Sequence, residues 1–245
     1  EIVPLSIRFG DDEYVDREQL TVDQFYALLA DSETLPETAA PSPGAFAAAF
    51  QRHLDTGASA VVCINLSAAV SATMQSAVTA AETINADIRV LDSTSITAGQ
   101  GGIVLAAARA AAEGASVDDV VAIAESAAER THVFGALDTL ENLQKGGRIG
   151  NAQALLGSML SIKPLIALSS GEVEEAGKQR TRKKSLVWLR DKLAEFGEIE
   201  DLAIMHGQAP DIDDFVAMLG EVHATGDARV ELVGPAGGTR GGPRV

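Results

Sequence analysis

Polar and apolar positions alternate along the first half of the chain with two periods, one helical and one extended. In "TVDQFYALL", Phe25, Leu28 and Leu29 share one helical face, and Thr21 with Gln24 has capping-box spacing, so a helix starts there. "PSPGAFAAAFQRHL" repeats Phe46, Phe50 and Leu54 every four positions behind Ser42, a good N-cap, and Pro43, suited to the first helical position. A second helix is predicted. The run "SAVVCINLS" is short, apolar and β-branched, as a strand buried on both faces should be, and the alanine-rich "TMQSAVTAAETI" behind it is helical. Strand "IRVLDS" then precedes helix "AGQGGIVLAAARAAAEG" and a further helix, "VDDVVAIAESAAER", capped by Ser116. Residues 3–9 form one more strand. Such alternation signals right-handed βαβ units and a parallel sheet, whose ligands lie beyond the carboxyl ends of the strands. Those ends carry Ser67, Ser71, Asp92 and Ser93.

The regularity is lost after Arg130, where a domain boundary is expected. In "KPLIALSSGEVEEAGKQR" two extended runs flank Ser169-Ser170-Gly171, the pattern of an antiparallel hairpin. Helix 184–196, strand "DLAIMH", helix 212–224 and strand "RVELVG" follow. The expected fold class is α/β with two domains. Residues 1–130 carry a parallel sheet with flanking helices, and residues 131–245 carry a mixed or antiparallel sheet with helices.

Composition narrows the function classes. With 35 acidic against 19 basic residues the 245-residue chain has a formal charge of −16, so most of its surface repels a phosphate backbone and nucleic acid is not an expected partner. The single cysteine, Cys63, lies in an apolar run and suits a reducing compartment. The start "EIVPLSIRFG" has no basic leader region and no stretch is apolar enough to span a membrane, so a cytoplasmic, monomeric protein is expected. Hydrophobic residues make up 46% but aromatics only 4%, which makes any apolar cavity aliphatic.

Enzyme signatures are sparse. Neither G-x-S-x-G nor H-E-x-x-H occurs, and His53, His132, His206 and His223 are scattered. "GEVEEAGK" resembles a phosphate loop but puts three glutamates where phosphate would sit, and "GQGG" at residues 99–102 suits close helix packing better than a dinucleotide. "KQRTRKK", ending at Lys184, is a solvated strand-to-helix surface or a docking site for an anionic partner. What remains is Thr38, Ser71 and Ser93 near strand ends or helix starts, with Arg148 and Arg240 in glycine-rich turns. This set recognises an anion without an activating base; no catalytic residue, metal site or cofactor is predicted. Ser71 could equally be an N-cap, and "KGGR" a helix C-terminus with Gly146 or Gly147 left-handed and Lys145 and Arg148 facing the helix dipole.

Four segments in register resemble the DegV family of bacterial fatty-acid-binding proteins. "TAAPSPGAF" is similar to the family's T-S-Q-P-S-P-x-x-F, "VSATMQSA" to its L-S-G-T-Y-Q-S-A, and "LDTLENLQKGGRI" with "LSIKPLIAL" to its central block. The resemblance implies two α/β domains with a long-chain fatty acid between them, its tail buried and its carboxylate hydrogen-bonded at the interface. It also implies a separate fatty acid kinase that receives the bound acid and makes an acyl phosphate. Carried over by motif, Thr38 and Ser71 contact the carboxylate and Arg148 stands behind them. "GPAGGTRGGP" aligns with G-P-x-x-G-T-H-x-G-P-G, which puts Arg240 where the family has a histidine and makes it the fourth head-group residue. Ala72 and Met74 replace the family's glycine and tyrosine. The family pattern has a further strand and an Asp-Ser loop before "EIVPL", so residues are expected to be missing at both ends. The alternative reading is a phosphoryl- or acyl-transfer enzyme acting on a small carboxylate.

Overall fold

A computed structural model describes residues 1–157 and 162–245. The chain opens with strands β1 (Ser6–Phe9) and β2 (Asp12–Val15), joined by a two-residue turn with Gly10 at φ 59°. A loop that short permits only antiparallel pairing. After α1 (Val22–Asp31), strand β3 (Glu37–Ala39) adds to the other edge of β1, with Ile7 opposite both Tyr14 and Thr38. The first half is therefore not purely parallel, as its alternation had suggested. Gly10-Asp11 is the hairpin signal, set among acidic residues that mask it.

The parallel part follows: α2 (Pro43–Asp55), β4 (Ala60–Asn65), α3 (Thr73–Ala81), β5 (Asp87–Asp92), α4 (Thr97–Ala112) and α5 (Val117–Arg130). Strands β4 and β5 pair in parallel with Cys63 opposite Val90. Because side chains alternate across a strand, this two-stranded sheet is covered on both faces. Val61, Cys63, Ile88 and Val90 meet Phe46, Phe50, Ala77 and Ala80 of α2 and α3, while Val62, Ile64 and Leu91 meet Ile103, Ala107, Val120 and Ala124 of α4 and α5. The predicted caps are present: Thr21 and Gln24 form a complete capping box, Ser42 accepts from Ala45 N, and Ser116 from Asp119 N.

The second half contains β6 (Val133–Ala136), α6 (Glu141–Lys145), a 3-10 stretch (Gly150–Gly157), β7 (Lys163–Ser169), β8 (Glu172–Gln179), α7 (Arg182–Ala194), β9 (Ala203–His206), α8 (Ile212–Leu219), β10 (Arg229–Leu232) and α9 (Pro235–Gly241). Strands β6, β7 and β8 make the antiparallel sheet, with the expected hairpin at Ser170-Gly171, whereas β9 and β10 pair in parallel. Helix α7 starts two residues before the expected position because the Thr181 hydroxyl accepts from Lys184 N. Helix α8 stops at Leu219 rather than continuing to 224, as Gly220 caps it and the next amides turn back on Met218 and Leu219. The segment "GEVEEAGK" is mostly strand β8, not a phosphate loop. Leu160 and Ser161, the first two residues of the fourth family-like segment, lie outside the described residues.

The hairpin tip of β7 and β8 sits on the carboxyl ends of the parallel strands. Ser67, fully buried, donates from Oγ to Gly171 O at 2.7 Å, and a Cβ on Gly171, whose φ is +82°, would meet Ser67 Oγ at less than contact distance. Helix α9 is held at the other side. A Cβ on Gly238 would stand 2.6 Å from Phe25 Cε1 and 2.9 Å from Tyr26 Oη, so glycine is what lets α9 lie against α1. Tyr26 Oη donates to Val233 O at 3.1 Å, and burial pushes its phenol up to about 12.

Candidate functional site

Helix α6 ends in a Schellman motif. Arg148 N donates to Leu143 O and Gly147 N to Gln144 O, both at 3.0 Å, with Gly147 at φ +67°. Of the two glycines offered by the sequence, the second is therefore the left-handed one. The motif fixes where Arg148 leaves the backbone. Its guanidinium turns back on the helix end, donating from Nη1 to Gly146 O at 2.7 Å, and reaches the loop before α3, donating from Nε to Val70 O at 3.0 Å. The helix-terminus reading of "KGGR" thus describes what Arg148 touches: two carbonyls, one at the negative end of a helix.

Val70 immediately precedes Ser71. Ser71 does not cap α3 at the N-cap position, which Ala72 occupies without a side-chain bond. Its Oγ accepts from Thr73 N at 3.3 Å and lies 2.9 Å from Thr73 Oγ1, forming a small hydroxyl pair at the entrance to the helix. Thr73 is buried and was not among the predicted residues; its signal was the threonine of the same family-like segment.

From the opposite direction, α9 brings in Arg240, whose Nη2 donates to Thr38 Oγ1 at 2.9 Å. Thr38 is placed by β3, opposite Ile7 in the register. The Arg240 side chain lies over Gly146, with Cδ and Cζ each 2.9 Å from where a Cβ there would be. Burial first, and then the charge of Arg148, pull the Arg240 guanidinium below its ordinary pKa. Thr38, Arg240, Gly146, Arg148, Val70 and Ser71 therefore form one continuous chain of contacts. Among the described residues, neither guanidinium has a carboxylate within ion-pair distance. The half-buried Arg240 is thus bonded to the Thr38 hydroxyl, and Arg148, exposed, is bonded to the carbonyl that precedes the Ser71–Thr73 hydroxyl pair.

The other strand-end residues have structural partners. Asp92 accepts from Ala68 N and from Thr94 N, the latter at 2.8 Å, which folds the loop behind β5. Ser93 is buried and exchanges bonds with Ser95, so it is not part of the cluster. Gly99 packs against Ser95 and Val133, in keeping with a packing role for "GQGG". Arg182 of the basic run is tied to Asp211 at 3.0 Å and to Arg244 O at 2.6 Å, while Lys183 and Lys184 line a groove with Trp188.

A second groove is apolar. It has a volume of about 300 Å³ and runs between α3 and β5, lined by Val78, Ala81, Glu82, Ile88 and Val90. It does not include the arginine cluster. Helix α3 links the two places, carrying Thr73 at one end and Ala81 at the other, with Ala77 and Ala80 buried between them. Among the described residues, no helix is long and apolar enough to cross a membrane.

Comparison with known proteins places this architecture. A "DegV domain-containing protein" of Streptomyces coelicolor is 35% identical over 245 residues, covering 98% of this chain and 87% of its own. A solved Thermus thermophilus structure, described as showing fatty acid binding of a DegV family protein, matches 99% of this chain and 88% of its own, with TM-score 0.85 and 32% identity. A fatty acid binding DegV family protein from Streptococcus agalactiae matches 98% of this chain and 87% of its own, with TM-score 0.90 and 29% identity. The family model described as uncharacterised protein, DegV family, matches residues 1–245, and the chain belongs to the DegV family.

Proposed function

We propose that this protein binds a long-chain fatty acid, holding the carboxylate with Thr38, Ser71, Arg148 and Arg240 at the junction of its two α/β domains, residues 1–130 and 131–245. The observation that carries this reading is that Arg240, bonded to Thr38, lies near enough to Arg148 to feel its charge, with no carboxylate among the described residues within ion-pair distance of either. Burying about a dozen methylenes contributes on the order of 10 kcal/mol before ordering costs, so the tail supplies affinity. A buried carboxylate without partners costs several kcal/mol, which the hydroxyls and guanidinia offset. The head group therefore sets orientation and ligand class.

The tail runs from the domain junction toward the groove at Val78, Ala81, Ile88 and Val90, because the buried Ala77 and Ala80 face of α3 is already filled by Phe46 and Phe50. The relatives from T. thermophilus and S. agalactiae, both described as fatty acid binding, support the ligand class. In this reading the protein is a cytoplasmic carrier, and a separate fatty acid kinase phosphorylates the presented carboxylate. Lys183 and Lys184, beside Trp188, are the surface suited to an acidic partner.

Native extraction followed by lipid mass spectrometry tests the proposal. About one long-chain acid per chain is expected. Recovery of no acyl chain, together with no uptake of added palmitic acid, overturns it, and tight binding of nucleotide with magnesium by the isolated chain would favour a transfer enzyme instead.

A further inference from the structure

The two glycines of "KGGR" lack side chains for different reasons. At Gly147 the reason is conformational, since φ is +67° and nothing lies within 4 Å of where a Cβ would stand. Gly146 has φ −79° and ψ −5°, a helical conformation open to every residue. What excludes a side chain there is Arg240. A Cβ on Gly146 would overlap Nη1 and come within 2.9 Å of both Cδ and Cζ.

We propose that Gly146 is a positioning residue for Arg240, its bare Cα being the seat on which the guanidinium lies to reach Thr38 Oγ1 beside Arg148. The same residue holds the second cation, because its carbonyl accepts from Arg148 Nη1 at 2.7 Å. One residue thus brings two like charges to one place, the first through its missing side chain and the second through its peptide oxygen. Arg240 cannot yield by moving its tip alone. The overlap extends to Cδ, midway along the side chain, and the far end is bonded to Thr38 at 2.9 Å. A methyl group at position 146 therefore lifts Arg240 off Thr38, whereas α6 keeps its helical backbone.

The test is a double-substitution cycle of Gly146→Ala with Arg240→Ala in the full chain. Without ligand, Gly146→Ala is expected to shift the thermal midpoint less favourably when Arg240 is present than when it is alanine, by about 3 °C. The second arm rests on the fatty-acid reading and compares the affinities for palmitic acid and hexadecanol. Gly146→Ala lowers the acid-to-alcohol ratio about tenfold in the Arg240 protein and leaves it unchanged in Arg240→Ala. Additive midpoints overturn the proposal, as does an unchanged ratio in a protein that binds the acid. A parent protein that takes up neither ligand defeats the fatty-acid reading instead, and the midpoint arm then decides the role of Gly146 by itself.

Discussion

Arg240 Nη2 donates to Thr38 Oγ1 at 2.9 Å, joining residues 202 positions apart. The contact ties the last helix to a short edge strand, so it bears on stability whatever ligand the site takes. Thr38→Val keeps the shape of the side chain and removes the acceptor from a half-buried guanidinium. A loss of about 1 kcal/mol is expected in urea unfolding, at the low end for hydrogen bonds to charged groups because water reaches the pair. Thr38→Ser retains the hydroxyl and most of the stability; equal losses for the two variants would remove the contact from the account.

Two left-handed glycines respond differently to alanine. Gly147 faces open space, so Gly147→Ala costs the backbone strain alone, about 1 kcal/mol. Gly171 combines φ +82° with the close approach of Ser67, and Gly171→Ala is expected to cost at least about 2 kcal/mol. Chemical denaturation of the two variants checks the order. The larger effect belongs to the hairpin tip because it is where the antiparallel sheet docks on the parallel strands.

Acid stability has a named contributor in Asp211. The hydrogen bond from Arg182 holds its carboxyl below the usual range against the opposing effect of burial. A folded pKa below the unfolded one adds stability that is complete above the unfolded value, about 4, and is lost as pH falls through the folded value. Asp211→Asn should therefore lower stability at neutral pH by under about 1 kcal/mol, as befits a partly exposed pair, and flatten the loss below about pH 4. Unfolding midpoints measured from pH 7 to pH 3 test the sign; an unchanged acid slope contradicts it.

Much of the local structure could be read from the sequence because its causes are local. The capping box at Thr21 and Gln24, the caps at Ser42 and Ser116, and the hairpin at Ser170-Gly171 each depend on a few adjacent residues. Strands β2 and β3 were not legible, since three or four largely polar residues become strands only through pairing with β1. The candidate site divides in the same way. Its residue types and motifs pointed to an anion, and four positions followed from the family resemblance. The contacts did not, because Arg148 meets the Val70 carbonyl across 78 positions and Arg240 is steered by an absent side chain. Thr73 was hidden by the ordinary look of a threonine at a helix start.

Arg148 provides the sharpest separation of charge from geometry. Its Nε and Nη1 reach carbonyls on two different elements, Val70 O at 3.0 Å and Gly146 O at 2.7 Å. That arrangement needs a planar fork, which lysine lacks although it carries the same charge. If charge alone held the head group, Arg148→Lys would bind palmitic acid nearly as well as the parent, and added salt would weaken both proteins alike. If the fork aligns Ser71 with the end of α6, Arg148→Lys loses about tenfold in affinity, close to the loss in Arg148→Ala, while the affinity for hexadecanol moves much less. The second outcome is expected, because the loop that carries Ser71 is tied to α6 through those two bonds. Calorimetric titration of the three proteins with acid and alcohol at low and high salt distinguishes the cases, and a fully active lysine variant would reduce Arg148 to a point charge.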